Sequence, residues 1–260
     1  MLSKILLHLS NHPWKDRIQY FATINSTNDY AKKLAMEGAP AGTVILAGQQ
    51  TAGRGRLGRS FSSPENMGIY LSVILRPDCK PSEIMHLTCA AGVAAVKAIG
   101  RDNIRIKWTN DLVIDKRKLG GILTELSVDP VTQNLAWVVV GIGINCCQKY
   151  WDFPKDIRHM ACSLGMEDRI DVLNLAADLI ESLYQMDKDL LTKKAAIMAQ
   201  FKEKCVTIGS QISVVRGDNI RHGKALDVDS DGGLLVEYPD GSHETVTSGE
   251  VSIRGMYGYL

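Results

Sequence analysis

The sequence predicts an α+β fold in two parts, with helices and strands interleaved up to about Lys204 and a small all-β module after it. In the first part, short apolar runs with strand character alternate with stretches whose apolar residues recur at helical spacing. From Val206 onward the texture changes to five short strands, with tight turns at Asp231-Gly232-Gly233 and Pro239-Asp240-Gly241. Residues 1–204 are therefore expected to form one large domain, and 205–260 a module resembling an SH3-like barrel.

Ile18 to Ile24 reads as the first strand. Ser26, Thr27 and Asn28 then stand where a helix N-cap belongs, ahead of a helix through Tyr30, Leu34 and Ala35 that Gly38 and Pro40 stop. These three residues either cap alone or also turn hydroxyl and amide groups into a pocket. Thr43 to Ala47 is an apolar run read as a buried strand, and Gly68 to Leu75 alternates well enough for another. Pro81 and Ser82 open a helix whose apolar face is thin, with Gly92 and four alanines, which suits close packing on a sheet. Ile104 to Trp108 and Ile122 to Leu126 read as strands joined through a turn at Asp115-Lys116-Arg117. Ala136 to Ile144 is apolar but interrupted by Gly141 and Gly143, the mark of a central strand pressed by something close. Asn145, at its end, either reads an adenine edge or simply ends the strand. Cys146 to Met166 is irregular, with Tyr150, Trp151 and Phe153 clustered as a lid or a docked loop. Ile170 to about Lys204 reads as helical. The later strands are expected at Ile212–Val215, Lys224–Val228, Leu234–Tyr238, His243–Val246 and Val251–Ile253.

The chemistry concentrates in Gly48 to Phe61, GQQTAGRGRLGRSF. Its four glycines allow positive φ and close backbone approach to a ligand. Arg54, Arg56 and Arg59 offer planar forks matched to carboxylate and phosphate oxygens. The same letters nearly spell a P-loop, with arginine in the lysine position. That motif must open a helix, whereas the turn-rich Ser62 to Gly68 breaks one, so the P-loop fold is rejected and anion handling retained. Lys118, directly before Leu119-Gly120-Gly121, is a second candidate, because paired glycines let a ligand lie against backbone.

A formal net charge of +1 and 45% hydrophobic residues describe an ordinary globular chain. A nucleic-acid protein driven by bulk charge is excluded by that balance. Six cysteines show no CxxC and no ligand-like pairing with histidine, which fits a reducing, cytoplasmic setting. Cys146 and Cys147 are read as inert packing residues. The N-terminus lacks the cleavage pattern of a signal peptide, and no apolar run approaches the roughly 20 residues of a membrane span.

Ser26-Thr27-Asn28, Gly53-Arg54-Gly55-Arg56 with Arg59, Lys107-Trp108-Thr109-Asn110-Asp111, Lys118-Leu119-Gly120-Gly121 and Gly141-Ile142-Gly143-Ile144-Asn145 together resemble the biotin–protein ligase family. Ser248-Gly249-Glu250-Val251-Ser252-Ile253 resembles the end of that family's small barrel. The resemblance implies a mixed-sheet catalytic domain related to class II aminoacyl-tRNA synthetases. It also implies two reactions, formation of biotinyl-5′-AMP from biotin and Mg-ATP, then transfer to one lysine of a biotin carboxyl carrier protein.

By the same resemblance Ser26, Thr27, Asn28, Gln50 and Gly55 belong to the biotin site, with Lys118, Arg54 and Arg56 on its carboxylate. Arg56, Arg59, Phe61, Lys107, Asn110 and Asn145 belong to the ATP or adenylate site. Asp111 matches an aspartate near the reacting centre, as base or as orienter of the acceptor lysine. Mg2+ is expected with ATP rather than from a protein metal motif. Two departures stand out: Thr109 where the family commonly has proline, expected to loosen the turn, and Phe61 where it often has tryptophan, expected to weaken adenine stacking.

Some relatives add an N-terminal winged helix and act as repressors. The pattern here begins by Ile18, so a short ligase without DNA binding is expected, as a monomer or homodimer and with no membrane association. The rivals are a lipoate–protein ligase of the same fold and a nucleotide- or RNA-binding adaptor.

Overall fold

The computed structural model describes residues 2–247, 250–253 and 256, so Ser248 and Gly249 of the barrel motif lie outside the described residues. In chain order the first part comprises α1 (Leu2–His8), β1 (Ile18–Ile24), α2 (Thr27–Met36), β2 (Thr43–Gln50), β3 (Gly68–Leu75) and α3 (Leu87–Ile99). It continues through β4 (Arg105–Lys107), β5 (Asp111–Ile114), β6 (Arg117–Val128), β7 (Leu135–Asn145), α4 (Val172–Asp189) and α5 (Lys194–Lys204). Seven strands form one sheet in the order β1-β2-β3-β7-β6-β5-β4. β1 and β2 pair in parallel and every other neighbour is antiparallel, so the sheet is mixed.

Both faces of this sheet are covered, which is why β2 and β7 read as near-continuous apolar runs; β3, expected to alternate, is instead buried at every position from Ile69 to Leu75. On one face α2 buries Ala31 and Ala35 against Ile45, Ile74 and Val139. On the other, α3 and α4 close the main core over Leu71, Val73, Val140 and Ile142. Each such aliphatic side chain contributes about 1.5–3 kcal/mol by leaving water. The thin face of α3 is used as expected: a methyl group on Gly92 would sit 3.2 Å from Ile106 Cδ1. By length and composition alone, the stretch Pro81–Ile99 could cross a bilayer, a property the sequence reading passed over. More than half of it is buried inside the protein, as a core helix is.

Two expectations need correction. The helical stretch after Ile170 is two helices, because the chain turns at Leu190, whose side chain is buried and whose carbonyl accepts from His86 Nε2 at 3.0 Å. Cys146 is buried, and burial pushes its thiol up to about 12, but Cys147 is exposed, so only the first is a packing residue.

The second part is a five-stranded antiparallel sheet of β8 (Gln211–Arg216), β9 (Asn219–Val228), β10 (Leu234–Glu237), β11 (His243–Val246) and β12 (Glu250–Ile253), in the order β11-β10-β9-β8-β12. Its β9–β10 turn docks on the first part. Trp108 Nε1 donates to the Gly232 carbonyl at 2.8 Å, and the Trp108 amide donates to Thr207 Oγ1 at 2.8 Å. Lys202 Nζ reaches Asp227 Oδ2 at 2.7 Å, and Lys194 pairs with Asp231.

Candidate active site

The long loop between β2 and β3 folds over one end of the sheet and closes a cavity there. Its base is tied like a hairpin: Gln50 N donates to the Ser63 carbonyl at 3.2 Å, and Phe61 N to the Gly53 carbonyl at 2.8 Å. At its tip a 3-10 turn spans Arg56–Gly58. Of the four glycines in the motif only Gly58 has a positive φ, +74°. Gly48 and Gly53 are instead crowded by protein, since added methyl groups would fall 2.6 Å from Tyr20 Oη and 2.4 Å from the Phe61 carbonyl.

One end of the cavity is neutral and polar. Ser26 caps α2, its Oγ accepting from Asp29 N at 3.3 Å, and it also lines the cavity, so both readings of this residue hold together. Gln50 Oε1 accepts from the Thr27 amide at 2.8 Å and the Thr27 hydroxyl at 3.1 Å, while its Nε2 donates to Ser63 Oγ at 2.9 Å. Asn28 is buried, its Oδ1 accepting from Ser72 Oγ at 2.6 Å and its Nδ2 donating to Glu125 Oε2 at 2.9 Å. Ser72 was missed by the sequence reading, although a single serine inside the apolar run of β3 was a visible signal.

Gly141 and Gly143 are pressed by the site itself. A methyl group on Gly141 would lie 1.9 Å from Asn28 Oδ1, and one on Gly143 would lie 2.5 Å from the Phe61 ring. The Gly141→Ala variant is therefore expected to lose about 1–3 kcal/mol of stability, the usual cost of overpacking. Thermal melts would check this, and a melting temperature within a degree of the native value would show that Asn28 moves aside freely.

The other end is charged. Lys118 of β6 reaches Asp111 of β5 within the same hairpin, with Nζ 2.7 Å from Oδ1. The Lys118 backbone is fixed by the segment after β7, its amide donating to the Met160 carbonyl at 2.6 Å and its carbonyl accepting from Cys162 N at 2.8 Å. Arg56 reaches across from the loop to Asn110 Oδ1 at 2.9 Å. Lys107, Arg59 and Gly55 line the same cavity. Arg54 lines it too, with its guanidinium on Asp29 Oδ1.

The turn at Thr109 is joined to β6 through Asn110. The Trp108–Thr109 peptide is cis. Asn110 is bonded to β6 in both directions, its Nδ2 donating to the Ile122 carbonyl at 3.2 Å and its carbonyl accepting from Ile122 N at 2.9 Å. Trp108 and Val251 complete the wall, the latter from the barrel.

Asn145 is the exception among the predicted residues. It is buried outside the cavity lining, with Nδ2 donating to the Cys162 carbonyl at 3.1 Å and Oδ1 accepting from Gln148 at 3.2 Å. In this structure it holds the segment that in turn fixes Lys118.

A cavity with a neutral, donor-and-acceptor end and a cationic end suits a long acid whose head is polar and whose carboxylate must meet a phosphate. Comparison with known proteins points the same way. The Biotin/lipoate A/B protein ligase family model matches residues 20–145, and the Biotin protein ligase C terminal domain model matches residues 207–254. The bifunctional ligase/repressor BirA of Bacillus spizizenii is 34% identical over 245 residues, covering 92% of this chain and 75% of its own length. The biotin--[acetyl-CoA-carboxylase] ligase of Mycobacterium tuberculosis is 29% identical over 247 residues, covering 92% and 89% respectively. Among solved structures, the Aquifex aeolicus biotin protein ligase in complex with biotin and ATP superposes with a TM-score of 0.75 at 27% identity, over 91% of this chain and 98% of that one. Matches to both family models, over the sheet that carries the cavity and over the barrel that helps wall it, show that this chain belongs to the biotin protein ligase family.

Proposed function

We propose that this protein is an ATP-dependent ligase that activates biotin as biotinyl-5′-AMP and transfers the biotinyl group to a lysine of a carboxylase's carrier protein. The observation that carries this is the polarity of one cavity, with Ser26, Thr27, Asn28 and Gln50 at one end and Lys118, Arg56 and Asp111 at the other. A ureido ring offers two N–H donors and a carbonyl, which the neutral end can match without a charge. Lys118 and Arg56 draw the biotin carboxylate towards the α-phosphate and offset the repulsion between two anions. A carboxylate oxygen attacks that phosphorus, and the bond to the bridging oxygen breaks, releasing pyrophosphate. In the second step the acceptor amine attacks the acyl carbon, loses a proton, and AMP departs.

Phe61 lies against Gly143 and lines the cavity, its ring T-shaped to that of Tyr70 with centroids 6.4 Å apart, and offers the adenylate an apolar surface. Among the described residues no three His, Cys, Asp or Glu side chains gather as a metal site, and Asp111 is the one carboxylate lining the cavity. That donor set fits a magnesium ion carried by the ATP phosphates, where it would neutralise their charge, with Asp111 within reach of it. The direct test is biotin-dependent exchange of labelled pyrophosphate into ATP, run in parallel with lipoate. Exchange on biotin alone supports the reading, and exchange on lipoate alone replaces it with the lipoate one.

The arginine loop also gives a prediction. Its glycines are costly to order, and Arg54, Arg56 and Arg59 repel one another unless anions or partners neutralise them. Biotin with a non-hydrolysable ATP analogue is expected to slow trypsin cleavage at these arginines by about tenfold or more, as the loop shields the mixed anhydride from water. Equal cutting with and without both ligands would show that the loop does not close on them.

A further inference from the structure

Three charged side chains outside the cavity connect Arg54 and Asn28, both of which line it. Arg54 lies on Asp29 Oδ1, Lys32 Nζ is 3.0 Å from the same oxygen, and Lys32 Nζ is 2.7 Å from Glu125 Oε1. The other Glu125 oxygen accepts from Asn28 Nδ2 at 2.9 Å. Asp29, Lys32 and Glu125 do not line the cavity, whereas Arg54 and Asn28 do.

We propose that Asp29, Lys32 and Glu125 are positioning residues, a relay that fixes the arginine loop through Arg54 and the buried Asn28 amide at the same time. This rests on the ligase reading above and adds a regulating element to its biotin site. Lys32 is the pivot. Its side chain is 21% exposed and bridges two carboxylates on different elements, α2 and β6, which a free surface lysine does not do. Glu125 decides which way the Asn28 amide faces: with Nδ2 bound to a carboxylate, Oδ1 must be the atom that meets Ser72. Burial alone would raise the Asp29 carboxyl, but hydrogen bonds from Lys32 and Arg54 outweigh it and hold it below its ordinary range. Burial alone would lower Lys32, and its bonds to Glu125 and Asp29 bring it out above its ordinary value. Counted together with Arg54, the three relay residues carry no net formal charge, so they order the loop without adding a field that repels an anionic substrate. Removing Lys32 leaves two carboxylates facing each other with one arginine between the loop and solvent.

The test compares native protein with Lys32→Met, Lys32→Arg and Glu125→Gln in pyrophosphate exchange, with melting temperatures alongside. Lys32→Met is expected to raise the biotin KM by roughly three- to tenfold, the range open to a partly exposed charge network, with kcat changed by less than about twofold. It should also speed trypsin cutting at the loop in the presence of biotin, and Lys32→Arg should restore both. Glu125→Gln, which keeps an acceptor for Asn28 but loses the charge, should fall between. A Lys32→Met enzyme with native KM and native cutting, whatever its melting temperature, overturns the relay while leaving the ligase reading intact. Native protein without biotin-dependent exchange overturns both.

Discussion

Lys118→Ala lowers biotin-dependent pyrophosphate exchange by about 10- to 100-fold, the loss of a charge-assisted partner for a carboxylate worth about 1.5–3 kcal/mol. The fold is expected to survive. What anchors this position in the structure is backbone, through Met160 and Cys162, and the side chain is 37% exposed. Lys118 Nζ faces Asp111 at 2.7 Å, so without ligand the ammonium is already held at the charged end of the cavity. A substrate carboxylate then meets a cation that needs little rearrangement, which is where its contribution to the adenylation step arises. Exchange kinetics and a melting curve on the same preparation check the claim. Native exchange rates in the variant would remove Lys118 from the reacting centre.

Asp111→Asn should separate the two half-reactions. Transfer from preformed adenylate to the carrier protein is expected to slow by about 100-fold or more, the low end of what a positioned general base supplies. An acceptor lysine arrives as an ammonium and must shed a proton before it can attack. Asp111 is the one carboxylate lining the cavity among the described residues, and asparagine keeps its shape while losing its basicity. Adenylate formation needs cations rather than this carboxylate, so it should fall by about tenfold or less, through the loss of Lys118's partner. Single-turnover transfer and pyrophosphate exchange measure the two steps apart. Equal losses in both would place Asp111 on the nucleotide and metal side, and the base role would be withdrawn.

The strands of the fold were legible where burial on two faces imposes a continuous apolar run, as in β2, read over Thr43 to Ala47 and observed over Thr43–Gln50; β3 has the boundaries expected, Gly68 to Leu75, but is buried on both faces instead of alternating. The break at Leu190 was not legible: the ring that bonds the Leu190 carbonyl belongs to His86, far along the chain. Helix α1, with Ile5 its one buried residue, is too short to carry a period and was missed. At the site, residues in dense local motifs could be named, since Arg54 and Arg56 sit beside glycine, Lys118 comes just before Leu119-Gly120-Gly121, and Asp111 directly follows a turn. Ser72, Asp29, Lys32 and Glu125 act through contacts between elements distant in sequence, which a local pattern does not display. For Asn145 the sequence leaves an adenine contact and a plain strand end side by side; its side chain bonds to Cys162 and Gln148 and supports the segment behind Lys118.

The docking of the β9–β10 turn on Trp108 bears on how the molecule loses its structure. The Trp108 ring donates to Gly232, its amide donates to Thr207, and the same residue walls the cavity together with Val251 of the barrel. A barrel that came loose would strip Trp108 of its ring partner and open one side of the substrate site. Two bodies joined only by a linker can melt one after the other; these two share a buried tryptophan and its hydrogen bonds. Unfolding of the small sheet and disassembly of the catalytic cavity are thus expected as one cooperative event, with a substrate that stabilises the cavity also holding the barrel in place.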